Sequence, residues 1–124
     1  MAQSGGGVVH VQWYATVLRQ EAFAAEVVSA APIALRYGAN RYAVHRSADD
    51  RYMILQMAWF EEHNDWYRYW NGPEMIEFRR RHSGRYQIPV SYIWHEELAA
   101  SELGPEVPLA PEPEPAPQPE PQAI

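Results

Sequence analysis

The chain has 124 residues, none of them cysteine and none lysine. Without cysteine there can be no disulfide, thiol nucleophile, iron–sulfur ligation or Cys-based zinc site, and the absence fits a reducing compartment. Without lysine there is no Schiff-base amine and no P-loop lysine, and all ten basic residues are arginine. Long apolar runs are also missing: no segment approaches the roughly 20 residues needed to span a bilayer. The start, MAQSGGG, has neither a basic region nor a hydrophobic stretch, so no membrane association is expected and a cytoplasmic location is. His10, His63 and His95 are isolated, and no HxH, HxxxH or HExxH pattern occurs, so no metal site is expected. A net charge of −6 argues against a nucleic-acid partner.

Apolar and aromatic residues are plentiful, at 47% and 13%, enough for one small core. Most of the negative charge sits at one end. Residues 1–104 carry twelve acids against ten arginines, whereas 105–124 carry four glutamates and no base. That end also holds eight of the eleven prolines, six of them in the run PEPEPAPQPEPQ, a composition that cannot bury a core. We expect a short disordered start at 1–7, a folded domain at 8–100 and an extended Pro/Glu-rich tail at 101–124. The tail reads as a solvated spacer, the alternative being a PxxP ligand or tether that contacts another protein.

Within the domain, His10–Arg19, together with Val8 and Val9, is rich in β-branched and aromatic residues and predicts a first strand, with Val9, Val11, Trp13, Ala15 and Val17 on one face and His10, Gln12, Tyr14 and Thr16 on the other. Residues 20–31 predict a helix with Phe23, Val27, Ala30 and Ala34 in one stripe. Pro32 breaks or kinks it, and Gly38 is placed to end the segment. Asn40–Arg46 and Arg51–Phe60 flank the turn-forming Ser47-Ala48-Asp49-Asp50 and predict an antiparallel hairpin. Trp66, Tyr69 and Trp70 recur at helical spacing, as do Met75, Phe78 and Arg79 beyond Asn71-Gly72-Pro73, so two short helices with a break at 71–73 are expected. Tyr86–His95 predicts a last strand, and Pro89, lacking an amide hydrogen, points to an edge or a bulge.

The order β-α-β-β-α-β is the α+β, ferredoxin-like plan: four antiparallel strands with the helices on one face. Strands 1, 3 and 4 are apolar on both parities, with Tyr52, Ile54 and Ala58 opposed to Met53, Leu55, Met57 and Trp59 in the third. A sheet bare on one side would expose more apolar surface than soluble monomers tolerate, so a homodimer packed sheet on sheet is expected.

The run Gly38, Tyr42-Ala43-Val44-His45-Arg46-Ser47-Ala48-Asp49-Asp50-Arg51-Tyr52, Trp59, Trp66 and Asn71-Gly72-Pro73 resembles the antibiotic biosynthesis monooxygenase family of dimeric α+β barrels. The resemblance spans roughly residues 8–98. It implies a cavity between sheet and helices, into which Gln12 and Tyr14 of strand 1 and Trp66, Tyr69, Trp70, Phe78, Arg79 and His82 of the broken helix project. Such a cavity suits a small aromatic or polycyclic ligand. The cofactor-independent oxygenases of the family imply a base, for which His45 or His82 is the candidate, and a group to hold the developing oxyanion, for which Gln12, Tyr14 or Arg79 is. No cofactor is then required. A heme-degrading relative is the third reading: there an asparagine position falls on Gln12, a tryptophan on Tyr69 or Trp70, and the iron ligand on Phe78, which cannot bind iron. The alternative of a different class is a non-catalytic ligand-binding or dimerisation module. The arginines at 79, 80, 81 and 85 read as a solvated helix end, to which Glu74 and Glu77 can pair.

Overall fold

A computed structural model describes residues 6–101 and 108–113. Most of the expected tail, 102–107 and 114–124, lies outside the described residues, as do residues 1–5. The elements are β1 (Gly7–Tyr14), α1 (Gln20–Ala30), a 3-10 segment (Ala31–Tyr37), β2 (Ala39–Arg46), β3 (Met53–Phe60), α2 (His63–Trp70), α3 (Pro73–Arg81) and β4 (Ser91–Glu96). All strand pairs are antiparallel, in the order β2-β3-β1-β4. The fold is therefore α+β and ferredoxin-like, with β1 and β3 at the centre.

Local chemistry explains where the elements stop. β1 ends at Tyr14, short of the expected Arg19, because the chain turns at once: Leu18 takes a positive φ of 66° and the amide of Arg19 donates to the carbonyl of Thr16. α1 ends at Ala30 and tightens into the 3-10 segment that Pro32 opens, since proline offers no amide to continue the α ladder. Gly38 closes that segment at φ 106°, a conformation that favours glycine, and a Cβ there would meet Asp65 Oδ2 at 2.7 Å. The break between α2 and α3 falls at 71–73, as the sequence predicts. Pro73 starts α3, and Gly72 lets the chain pass the hydroxyl of Tyr37, which a Cβ would approach to 2.7 Å. β4 starts at Ser91 rather than Tyr86, because Pro89 cannot donate to the ladder; Tyr86 keeps only an isolated bridge to Ala15.

The sheet has two distinct faces. Val9, Val11, Trp13 and Ala15 of β1 and Ile54, Gln56, Ala58 and Phe60 of β3 are buried beneath the helices. Trp13 is the hub, with Phe23, Trp70, Phe78 and Tyr86 all between 5.1 and 5.6 Å from it, ring centre to ring centre. Its indole N–H donates to Gln56 Oε1 at 2.9 Å, and Gln56 Nε2 donates to the Tyr69 hydroxyl at 2.9 Å, tying β1, β3 and α2 together. The opposite parity, including Val8, His10, Gln12, Tyr14, Met53, Leu55, Met57 and Trp59, faces away from the helices and is only half-buried in the single chain.

That parity corrects one expectation. Gln12 and Tyr14 do not project toward the helices: β1 gives the helices its uniformly apolar face, and the mixed face turns outward. His10 and His95, isolated in the sequence, become neighbours on that outer face with ring centres 4.5 Å apart.

Candidate functional site

Beneath α2 the aromatic side chains pack against one another. Trp66 stacks on Trp70 at 5.1 Å, Tyr92 lies 5.3 Å from Trp66, and Trp66 and Tyr69 are buried to 1% and 0% exposure. Burial pushes the Tyr69 phenol up to about 12, so it remains a protonated hydrogen-bonding group at neutral pH. The Arg79 guanidinium sits over the Trp70 ring at 4.0 Å and donates to the Trp70 carbonyl at 2.9 Å. Desolvation there works against its charge. Trp66, Tyr69, Trp70 and Arg79 thus form a packed roof on the sheet.

A cleft lies one step over, between α1 and α3. It measures about 330 Å³ and is lined by Glu26, Ser29 and Ala30 of α1, Ile33 of the 3-10 segment, Glu74, Glu77, Phe78 and Arg81 of α3, and His82 at the end of α3. Both walls follow from helical periodicity: positions 26, 29, 30 and 33 share one edge, as do 74, 77, 78, 81 and 82. The size suits a small molecule.

The carboxylates in this cleft differ in their commitments. Glu74 accepts the Tyr37 hydroxyl at 2.5 Å and pairs with Arg36 at 3.2 Å, and the Tyr37 bond foremost holds its carboxyl below the usual range. Glu77 is held low in the same way, by its hydrogen bond to Arg80, a contact of 2.7 Å. Glu26 instead faces His82, with Oε2 3.2 Å from Nε2. His82 is 3% exposed, its ring lies 4.7 Å from that of Phe78, and its Nδ1 lies 3.2 Å from Nη1 of Arg85. A half-exposed carboxylate is thus coupled through a buried imidazole to a guanidinium, at the edge of an apolar floor.

Of the residues singled out in the sequence, the structure brings His82 and Phe78 together in the cleft. It separates them from Trp66, Tyr69, Trp70 and Arg79, and places Gln12, Tyr14 and His45 on the outer sheet face, where His45 is exposed and registers with Leu55. The side-chain amide that lies buried beneath the helices is that of Gln56 on the adjacent strand. Glu26 was not identifiable from the sequence: it flanks the apolar stripe of α1 as an ordinary solvated acid does, and only the approach of α3 gives it a partner.

The fold is the α+β fold of antibiotic biosynthesis monooxygenase-like proteins. Solved structures with this fold include a protein from Nitrosomonas europaea that carries the antibiotic biosynthesis monooxygenase name, with a TM-score of 0.69 and 16% identity over 82% of this chain and 99% of that one. SnoaB, a cofactor-independent oxygenase from Streptomyces nogalater, is similar with a TM-score of 0.62 and 14% identity over 83% and 100% of the two chains. A protein from Deinococcus radiodurans, also named for antibiotic biosynthesis monooxygenases, gives 0.67 and 11% over 77% and 96%. At these identities the likeness is one of fold. No protein-family model and no curated protein matches the sequence. No helix among the described residues is long and apolar enough to cross a membrane.

Proposed function

We propose that this protein binds a small aromatic or polycyclic molecule in the α1–α3 cleft and oxidises it with dioxygen, without a cofactor, in the cytoplasm. The observation that carries the proposal is the Glu26–His82 pair beside Phe78. An apolar floor takes the ring system, and an adjacent proton acceptor takes a proton from an acidic phenol, quinol or activated methylene. For an activated methylene, removal of the C–H proton leaves a carbanion that reduces dioxygen and forms a carbon–peroxide bond. Loss of the second C–H proton with cleavage of the O–O bond leaves a carbonyl and releases water, so that R2CH2 and O2 give R2CO and H2O. The similarity in fold to a cofactor-independent oxygenase supports this chemistry. Oxygen uptake measured with hydroxyanthrone-type and quinol substrates tests it: uptake above the buffer control is expected, and uptake equal to the control overturns it.

The filled interior beneath α2 favours a second reading, a non-catalytic ligand-binding or dimerisation module. In that case the same substrates bind, seen as quenching of tryptophan fluorescence, and leave unchanged. A heme-degrading role has little support, since Phe78, at the expected ligand position, forms the cleft floor.

A homodimer completes the proposal. The outer sheet face presents Val8, Tyr14, Met53, Leu55, Met57, Trp59 and Ile93 in a continuous patch, and Ile93 is 50% exposed in the single chain. Such a face is covered by a second copy packed sheet on sheet. Leu55→Arg, at the centre of the patch, is expected to convert a dimer into a monomer at micromolar concentration by sedimentation velocity. A wild-type protein that already sediments as a monomer overturns this part.

A further inference from the structure

We infer that Arg85 fixes the tautomer of His82 and thereby makes Glu26, rather than the imidazole, the proton acceptor of the cleft. The second half rests on the proposed reaction; the first half does not. A guanidinium has N–H donors and no acceptor, so the Nη1 that lies 3.2 Å from His82 Nδ1 can only donate. Nδ1 must therefore present its lone pair. The ring proton then belongs on Nε2, which faces Glu26 Oε2 at 3.2 Å, and a carboxylate can only accept. The opposite tautomer would set two donors head to head at Nδ1 and two acceptors at Nε2. At 3% exposure water cannot relieve either mismatch.

Arg85 does not meet His82 by accident of a long side chain. Its amide donates to the His82 carbonyl at 2.9 Å, its carbonyl accepts the Thr16 amide at 3.0 Å, and the Thr16 hydroxyl donates to the Gly84 carbonyl at 3.0 Å. Gly84, at φ 89°, makes the reversal that returns the chain toward the ring. The arginine is thus anchored both to the end of α3 and to the segment between β1 and α1. The other charged residues lining the cleft are Glu74, Glu77 and Arg81; Glu74 is paired with Arg36 and Glu77 with Arg80.

The consequence is a division of labour. The Nδ1 lone pair is occupied by Arg85, and the Nε2 proton is directed at Glu26, so the imidazole has no free electron pair to offer a substrate. Of the three carboxylates lining the cleft, Glu74 and Glu77 are paired with arginines, whereas Glu26 is held by the Nε2–H alone, which orients it. His82 and Arg85 act as positioning residues and Glu26 as the catalytic base.

Long-range 15N–1H correlation spectra of the histidine rings, with His82 assigned from the His82→Gln variant, test the tautomer directly. The expected result is a proton on Nε2 in the wild type and a change of His82 nitrogen shifts toward a mixed tautomer in Arg85→Met. A proton on Nδ1 in the wild type overturns the inference. Unchanged His82 shifts in a folded Arg85→Met protein overturn it as well. Failure of the oxygen-uptake assay with the Nε2–H signature intact removes the reaction and leaves the tautomer assignment standing.

Discussion

Trp13→Ala is expected to lower stability by about 3–5 kcal/mol, the cost of truncating a fully buried aromatic where neighbours cannot collapse into the space. Collapse is blocked because the four rings around Trp13 come from α1, α2, α3 and the segment before β4, each fixed elsewhere. A second loss follows. The indole N–H is the donor to Gln56 Oε1, and Gln56 is 2% exposed, so the variant strands an acceptor beneath the helices at about 1–3 kcal/mol unless water enters. Domains of this size are stable by only about 5–15 kcal/mol, so a variant that still folds should melt at least 10 °C lower. Trp13→Phe separates the two contributions, because it keeps most of the ring and loses the donor; its cost should be about 1–3 kcal/mol. Urea unfolding followed by fluorescence measures both. A loss below about 1 kcal/mol for Trp13→Ala would show that the hub is not packed as described.

The fold was legible in the sequence because its signals are local. The β-branched runs, the helical spacing of Trp66, Tyr69 and Trp70, and the Gly72-Pro73 break each act within a few residues, and each lies where expected. The element ends were less legible, since the end of β1 depends on the turn at Leu18 and the start of β4 on a partner strand that Pro89 cannot serve. The face of β1 was misassigned for a different reason. Strand parity divides residues into two sets but does not say which set the helices cover, and the apolar stripe of α1 decides in favour of Val9, Val11 and Trp13. The site was the least legible part. Trp66, Tyr69 and Trp70 are equally good as pocket lining and as core, and the structure makes them core. Glu26 and His82 lie far apart in the chain, and nothing near either one announces the other.

Glu26→Gln is expected to lower kcat for the proposed oxidation by 10²- to 10⁴-fold, the usual contribution of a positioned proton acceptor. The substitution is nearly isosteric, and its amide oxygen can still accept the Nε2–H of His82, so the cleft keeps its shape while its base loses its charge. KM should change little, because ring binding depends on Phe78, Ile33 and Ala30 rather than on the carboxylate. Stability should also change little: Glu26 is 44% exposed, and the polar contacts of a carboxylate open to water contribute about 0–1 kcal/mol. Glu21→Gln provides the control from the same helix, since that carboxylate pairs with Arg46 and Arg51 outside the cleft, and its kcat should stay within about twofold of wild type. The split between kcat and KM is the informative readout. A Glu26→Gln protein that keeps a third or more of the wild-type kcat would return the role of base to another group, whereas loss of binding with an unchanged turnover of the bound fraction would make Glu26 a ligand contact and nothing more.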